Sequence, residues 1–495
     1  MSNFKTDKLI IVHNSRICIT NFGTVPSALK NYLTEFDIFR KRGREVRVPN
    51  WTAVHHTMHP LYGEVICLPR NMDISVVTKH FPTHRLIIDL NCYIPYKTIS
   101  INAKHQPRDV IQQEALNYLE GRNNYSTYRD ARQQSLFLQT GMGKTFITIQ
   151  YITSVKLKTI IIVHKDTLIT QWKERIAMFS DVTDDEIGVI KGKESFKKVL
   201  KDKDSLKIVI ASNKTLGRCF VDEESTTDFR DFMRSMEFGL KVIDECHINP
   251  KITFKIESET NVFKNLYLTA TPKRSDFSSE KLLLKLLPEK SNSFGLNIQH
   301  RNSAYHNVEY VHIRSSPNED DIKALGGTIS IDKYSNYILN RTFNKVFDVV
   351  CDYIDDNMKH LNDNKKQIGV ICGNLDLVTH MIDNLKLQYP NEDIGNYTSL
   401  SNDKSSELKK KVIVTTSMSM DAGDDSEFDI LINLVPLSSE PALEQIIGRI
   451  RNKPNGKFLY VDVTDIGISA NRTQYARRAK MLNTKLAASN KIVMK

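Results

Sequence analysis

The sequence predicts an α/β chain: two parallel-sheet domains in tandem, preceded by a smaller α/β unit. Three observations carry this prediction. Short runs rich in β-branched residues recur in two sets, one between 135 and 271 and one between 367 and 463. Each run leads into a polar loop and an amphipathic stretch, the alternation of a parallel sheet covered on both faces. A glycine-rich loop, GMGKT at 141–145, stands between the first run and the apolar segment FITIQYI.

The smaller unit comes first. KLIIVH (8–13) and RICIT (16–20) are β-rich runs around a turn-like Asn14-Ser15, the pattern of a hairpin. Pro26 to Phe36 has apolar residues at helical spacing with proline near the first turn, where its missing N–H costs nothing. EVICL (64–68), DISVV (73–77) and RLIIDL (85–90) add three strand candidates. Between them, FRKRGREVRVP (39–49) holds five basic residues from Arg40 to Arg47, around Gly43. Arg40, Lys41, Arg42 and Arg44 there form either a DNA-contacting loop or a solvated hairpin tip.

The first large set is SLFLQ (135–139), TIIIVH (159–164), KIVIAS (207–212), KVIDE (241–245) and NLYLTAT (265–271). The second is QIGVICG (367–373), KVIVTT (411–416), ILINLV (430–435) and FLYVDV (458–463), and the signal-poor stretch 275–340 holds the crossover between them. Boundaries follow at 1–98, 99–290 and 291–495, the last domain ending in a basic helix.

Composition agrees with a globular chain. Of 495 residues, 40% are hydrophobic and 26% charged, which excludes disorder as the default. No apolar stretch reaches the ~18 residues of a membrane span, and the N-terminus lacks a signal-peptide core of adequate length. Seven scattered cysteines without a CxxC point to a reducing compartment, with no zinc ribbon or disulfide framework. A cytoplasmic location is expected, in the host cell if the protein is viral. The net charge of +11 divides into +6 over residues 1–100, −2 over 101–465 and +7 over 466–495. Basic ends on a near-neutral centre fit a polyanion-binding protein, because phosphate contacts supply most sequence-independent affinity.

The loop LQTGMGKT (138–145) has the strand–loop–helix setting that phosphate binding requires. Gly141 and Gly143 let backbone N–H groups approach phosphate, flanked by Thr140 and Met142. Lys144 supplies a point charge between the β- and γ-phosphates, and the Thr145 hydroxyl suits Mg²⁺. Leu138 stands where a first glycine is usual. VIDECH (242–247) ends an apolar run in two carboxylates at a strand's C-terminal edge, where open sheets bind ligands. Asp244 there would hold Mg²⁺ through water, and Glu245 would orient and deprotonate the attacking water.

Taken in order, GMGKT, DECH, Thr269-Ala270-Thr271 and QIIGR (445–449) resemble the motifs of superfamily-2 helicases and translocases, over roughly residues 105 to 465. The resemblance implies two RecA-like domains with ATP at their interface. PRDVIQQEAL (107–116) resembles the Q motif, with Gln112 reading adenine and Gln113 the alternative. IIVHKDTLITQWKERI (161–176) resembles segment Ia, with Leu168, Gln171 and Trp172 in the family's LxxQW arrangement and Trp172 read as helix packing. ASNKTL (211–216) resembles segment Ib. These two segments imply strand contacts at Lys165 and Thr215, and the motif-V-like IVTTSMSMDAGDD (413–425) implies another at Thr416. Gly423 and Asp425 match that motif's GxD on the nucleotide side. His247, Thr269 and Thr271 match residues that couple nucleotide state to strand binding. In EQIIGRIRNKP (444–454), Gln445 and Arg449 fit Q-x-x-G-R, with Arg449 as arginine finger. The family's second arginine falls at Asn452, so either Arg451 takes that role through a shifted turn or Arg449 acts alone.

Within the superfamily the strings look most like the phage branch-migration helicases, the UvsW type of T4 and its T5 counterpart. That implies ATP- and Mg²⁺-dependent remodelling of branched or forked duplex DNA by a monomer, with recombination or replication proteins as partners and no membrane association. The competing readings are a viral RNA helicase or transcript-release factor, and a DNA-binding protein with a degenerate motor.

Overall fold

The computed structural model describes residues 7–13, 16–41, 44–89, 94–122, 133–138, 142–270, 282–283, 285, 287, 293–295, 306–326, 330–357, 367–401, 403–417, 428–437, 443, 446–447, 458–485 and 490–494. Two compact units divide the chain, Met1–Asn297 and Ile298–Lys495.

The first unit opens with a five-stranded mixed sheet. Its strands are β1 (Leu9–Val12), β2 (Arg16–Thr20), β5 (His55–His59), β6 (Gly63–Pro69) and β7 (Arg85–Ile88), in the order β5-β6-β2-β1-β7. β1 and β2 form the expected antiparallel pair, Ile10 opposite Ile19. One face packs Ile10, Ile17, Ile19 and Ile66 beneath the helices α1 (Ser27–Tyr32) and α2 (Ile74–His80), whose Leu29 and Val77 are buried. The other face carries Leu9, Ile11, Cys18, Val65 and Cys67.

Two local expectations change here. DISVV is not a strand. Asp73 caps α2 by accepting a hydrogen bond from the Ser75 N–H at 2.8 Å, and a capped helix with a buried face outweighs the β-propensity of three β-branched residues. The helix from Pro26 stops at Tyr32. Residues beyond it form β3 (Thr34–Lys41), paired with β4 (Arg44–Thr52) in a two-stranded antiparallel ribbon. The basic cluster is therefore carried by a β-ribbon, with Lys41 opposite Arg44 in register. Arg42 lies outside the described residues, as do the side chains of Arg40, Lys41 and Arg44.

The second sheet of this unit is entirely parallel among the described residues, in the order β10-β11-β9-β12-β13-β8-β14. Its strands are β8 (Gln133–Leu136), β9 (Thr159–Val163), β10 (Ile187–Ile190), β11 (Ile208–Ser212), β12 (Leu240–Ile243), β13 (Lys264–Leu268) and β14 (Ser293–Phe294). The helices α3 (Val110–Glu120), α4 (Lys144–Val155), α5 (Thr167–Phe179), α6 (Lys193–Lys201), α7 (Asn213–Gly217), α8 (Glu223–Met236) and α9 (Pro250–Glu259) connect and cover it. Near-continuous burial along β9, β11 and β12 is what a sheet covered on both faces demands.

The N-terminal sheet and the β-ribbon are both joined to the larger domain. Trp51 donates its indole N–H to Ser258 at 2.9 Å, His55 Nε2 lies 2.8 Å from Glu259, and Lys251 pairs with the buried Glu35 at 2.7 Å. Asn71 donates to Tyr267 at 3.2 Å. Lys97 and Ile99 already hydrogen-bond to Glu237 and Lys156 at the edge of the larger domain.

The second unit is a seven-stranded parallel sheet in the order β17-β18-β16-β19-β20-β15-β21. It comprises β15 (His306–Ile313), β16 (Ile368–Cys372), β17 (Ile394–Tyr397), β18 (Val412–Thr416), β19 (Ile430–Asn433), β20 (Phe458–Asp465) and β21 (Asn490–Met494). The predicted basic C-terminal helix is Ser469–Lys485. Its Arg478 is not a free surface charge. It is 1% exposed, bonds both Asp462 carboxylate oxygens at 3.1 Å and donates to Thr464 and the Leu437 carbonyl.

Among the described residues no helix is long and apolar enough to cross a membrane.

Candidate nucleotide site

Parallel strands deliver their C-terminal ends to one edge of the first large sheet, and the sequence motifs follow those ends. The phosphate loop follows β8, segment Ia follows β9, ASNKTL follows β11, DECH follows β12 and Thr269 follows β13. One edge thus gathers residues up to 132 positions apart, from Phe137 to Thr269.

Gly143 caps α4 with φ of 85°, a left-handed conformation that favours glycine. A methyl group there would also strike the Gln112 amide nitrogen. Gln112 is held by two contacts: its N–H donates to Asp109 at 2.9 Å, and its side-chain oxygen accepts the Arg108 N–H at 3.1 Å. Gln112, and not Gln113, therefore lies over the loop. Gln113 is exposed and donates to Asn117 at 3.1 Å.

Lys144 occupies the first turn of α4. Its ammonium donates to the Leu138 carbonyl at 3.0 Å and lies 3.6 Å from Glu245. The residue that departs from the glycine pattern thus anchors the lysine through its backbone. Thr145 follows on the same turn, where helix N–H groups and the positive dipole end favour an anion.

Glu245 has φ of 45°, a strained conformation for a non-glycine residue that costs about 1–3 kcal/mol. Burial works to raise its pKa, but Lys144 and then His247 outweigh this and hold the carboxyl well below the usual range. Glu245 is therefore ionised throughout the neutral range. His247 Nδ1 lies 3.3 Å from Glu245 and shares a 2.7 Å hydrogen bond with the fully buried Thr269 hydroxyl. A continuous line of contacts runs Lys144–Glu245–His247–Thr269.

Asp244 differs from its neighbour. Burial, reinforced by the Glu245 charge, raises its pKa to about 6. Trp172 opposes the shift by donating its indole N–H to Oδ2 at 2.9 Å. Sequence reasoning took Trp172 for packing alone. It is packed, at 2% exposure, but it also orients the carboxylate. No local signal joins positions 172 and 244; the pairing arises because α5 and β12 flank the same end of β9.

Among the described residues no group of three or more His, Cys, Asp or Glu side chains is placed to hold a metal. One carboxylate and one hydroxyl nevertheless suit Mg²⁺, which keeps several waters and takes its other oxygens from phosphates. Thr145 would supply a protein oxygen directly and Asp244 would hold the ion through water.

Lys165 is half-buried after β9. Thr215 is buried in α7, its hydroxyl accepting the Gly192 N–H at 3.3 Å. Thr416 ends β18 and is also buried. Met142 is buried beside the loop. Thr140, Gly141, Thr271, Gly423, Asp425, Gln445, Arg449 and Arg451 lie outside the described residues.

The pKa of Asp244 yields a first expected result. A group whose folded pKa is about 6 is protonated below that pH and ionised above it, so metal-dependent turnover should fall on an acidic limb near pH 6. Trp172→Phe removes the donor that holds the pKa down and should move this limb to higher pH, with a raised Mg²⁺ requirement. Near-normal maximal rate should return at about pH 8. ATPase profiles at several Mg²⁺ concentrations test this, and an unmoved limb would reduce Trp172 to packing.

Comparison with known proteins adds three findings. The family model of the type III restriction enzyme res subunit matches residues 104–274. The DNA 3'-5' translocase XPB2 of Sulfurisphaera tokodaii is 32% identical over 148 residues, covering 29% of this chain and 28% of that protein. The transcription and DNA repair factor IIH helicase/translocase subunit XPB of Encephalitozoon cuniculi is 28% identical over 162 residues, 32% of this chain and 23% of that protein. The chain thus spans about a quarter of the length of these relatives. Among solved structures, Mss116p bound to ssRNA and AMP-PNP aligns with a TM-score of 0.50 at 15% identity, over 78% of this chain and 77% of that one. At that identity the likeness bears on the fold, which is a tandem of RecA-like domains after an N-terminal sheet domain.

Proposed function

We propose that this chain, a superfamily-2 helicase by its motor, hydrolyses ATP to translocate on DNA and remodel branched duplexes. The observation that supports it most is the contact line Lys144–Glu245–His247–Thr269, with Asp244 oriented by Trp172. In this reading Gln112 selects adenine, and the loop from Thr140 to Thr145 holds the phosphates. Glu245 orients a water and takes its proton. Thr145, and Asp244 through water, would hold Mg²⁺, which when bound would supply charge neutralisation at the phosphates. The Thr269–His247 bond transmits the state of that site to the neighbouring strand end, with Thr271 assigned to the same coupling and Lys165, Thr215 and Thr416 to strand contact by the motif resemblance. Gln445, Gly423 and Asp425 keep the nucleotide-side roles, and Arg449 the finger role, that the motif resemblance implies.

DNA as the track, rather than RNA, follows the XPB-type relatives. Branched DNA as the substrate rests on the phage-type resemblance and on the basic ribbon. Forks, displacement loops and four-way junctions present duplex arms whose phosphates are the expected partners of the basic cluster Arg40, Lys41, Arg42 and Arg44. ATPase rates with single-stranded, duplex and forked DNA and with RNA, in one buffer of stated salt, test the track directly. Greatest stimulation by RNA would overturn the DNA reading.

The ribbon has its own test. Because Trp51, His55 and Glu35 are locked into the motor, deleting residues 1–98 would damage the larger domain as well. Reversing the four charges to Glu leaves those contacts alone. The variant should keep ATPase stimulated by single-stranded DNA and lose unwinding of forks and junctions. The salt dependence of junction binding should flatten by about 0.9 in log–log slope for each phosphate contact removed. Unchanged junction binding would take the ribbon out of substrate recognition.

A further inference from the structure

We propose that Cys18 and Cys67 form a reversible peroxide-sensitive dithiol at the junction between the N-terminal sheet and the first motor domain. The two residues are 49 positions apart yet directly opposite in the antiparallel register of β2 and β6. Their sulfurs lie 3.3 Å apart. Both thiols belong to the sheet face turned away from α1 and α2. They line a cavity of about 860 Å³ with Arg16, Trp51 and His55 of the N-terminal part and Arg230 and Glu259 of the motor. That cavity gives a small oxidant a route to otherwise buried sulfur.

The surroundings favour one of the two as nucleophile. The Cys18 thiol, hydrogen-bonded to it, lowers the Cys67 pKa to about 7; burial opposes this and the Arg16 guanidinium adds to it. A thiolate, not a thiol, attacks peroxide. Burial instead pushes Cys219 up to about 11, and Cys246 and Cys372 also titrate well above the ordinary thiol range for the same reason. Cys67, which takes hydrogen bonds from both Cys18 and Arg16, is thus the attacking group and Cys18 the resolving one.

The chemistry balances with a hydroperoxide as oxidant. The Cys67 thiolate attacks one peroxide oxygen, the O–O bond breaks, and the departing oxide takes a proton to leave as water or alcohol. Cys67 is then a sulfenic acid. The Cys18 sulfur attacks Cys67 sulfur, the S–O bond breaks, and hydroxide leaves as water with the Cys18 proton. Two electrons pass from the thiols to the peroxide. Directly opposed residues hold their Cβ atoms about 4.5–5.5 Å apart, wider than the ~3.8 Å of a disulfide, so closing the bond draws β2 and β6 together. Bonds formed under such constraint are of the readily reduced kind.

The test uses the reduced full-length chain treated with hydrogen peroxide. Free thiols are blocked with N-ethylmaleimide under denaturing conditions, and thiols released by dithiothreitol then receive an isotopically heavy maleimide. The heavy label should appear on Cys18 and Cys67, with a linked Cys18–Cys67 peptide pair before reduction, while Cys219, Cys246, Cys351 and Cys372 keep the first label. Cys67→Ser should leave Cys18 unoxidised, whereas Cys18→Ser should let dimedone trap Cys67 as its sulfenic acid. The proposal falls if Cys18 and Cys67 retain the first label at peroxide levels that oxidise Cys219, or if either pairs with a different cysteine. The wild-type map decides this even should the serine variants fail to fold.

Discussion

Lys144→Ala is expected to lower ATP turnover by about 10²–10³-fold, the effect of removing one preorganised charge from the reacting phosphates. DNA affinity should stay within a few-fold, because phosphate cradling and strand binding use different surfaces. The structure adds a complication to the simple variant. Lys144 lies 3.6 Å from Glu245 and is the foremost influence holding that largely buried carboxylate ionised. Without the lysine, a carboxylate ionised in the folded state loses its partner, so the variant should also melt at a lower temperature. The double variant Lys144→Ala/Glu245→Gln separates the two effects: it should recover thermal stability and remain inactive. A double variant that regained turnover would remove both residues from catalysis. Normal turnover by Lys144→Ala would overturn the phosphate-loop assignment.

The second large effect concerns Arg449 and Arg451. An arginine finger contributes about 10³-fold or more to turnover, so Arg449→Ala should lose that much with near-normal ATP affinity. Arg451→Ala should be milder, because Arg449 alone fits the Q-x-x-G-R spacing with Gln445. Steady-state rates and nucleotide titrations of the two variants discriminate the possibilities. Equal and severe losses would mean that both guanidiniums reach the phosphates through a shifted turn; loss at Arg451 alone would reverse the assignment.

Both predictions come from motifs that local sequence displays. The placement of Thr145, Asp244 and Glu245 at one edge was legible because a parallel sheet sends every strand's C-terminal end there. A glycine-rich loop and an acidic strand end can then be assigned to one site without knowing the packing. The strand runs of both large sheets were legible for a related reason: burial on both faces selects continuous β-branched stretches, a pattern visible over five residues.

What the sequence by itself determined is thus the architecture of two large parallel sheets and the gathering of the motifs at one sheet edge. Tertiary structure decided the partners. Trp172 reaches Asp244 across 72 positions, Gln112 rather than Gln113 faces Gly143, and Cys18 meets Cys67 across 49. It also decided that DISVV is a capped helix and that Arg478 is buried on Asp462. The β-ribbon, through Trp51 and Glu35, and the N-terminal sheet, through His55, are likewise locked to α9. The physical reason is common to all of these. Periodicity and propensity report which face of an element is buried. Which side chain lies opposite another depends on strand register and helix placement, which are settled only when distant segments pack together.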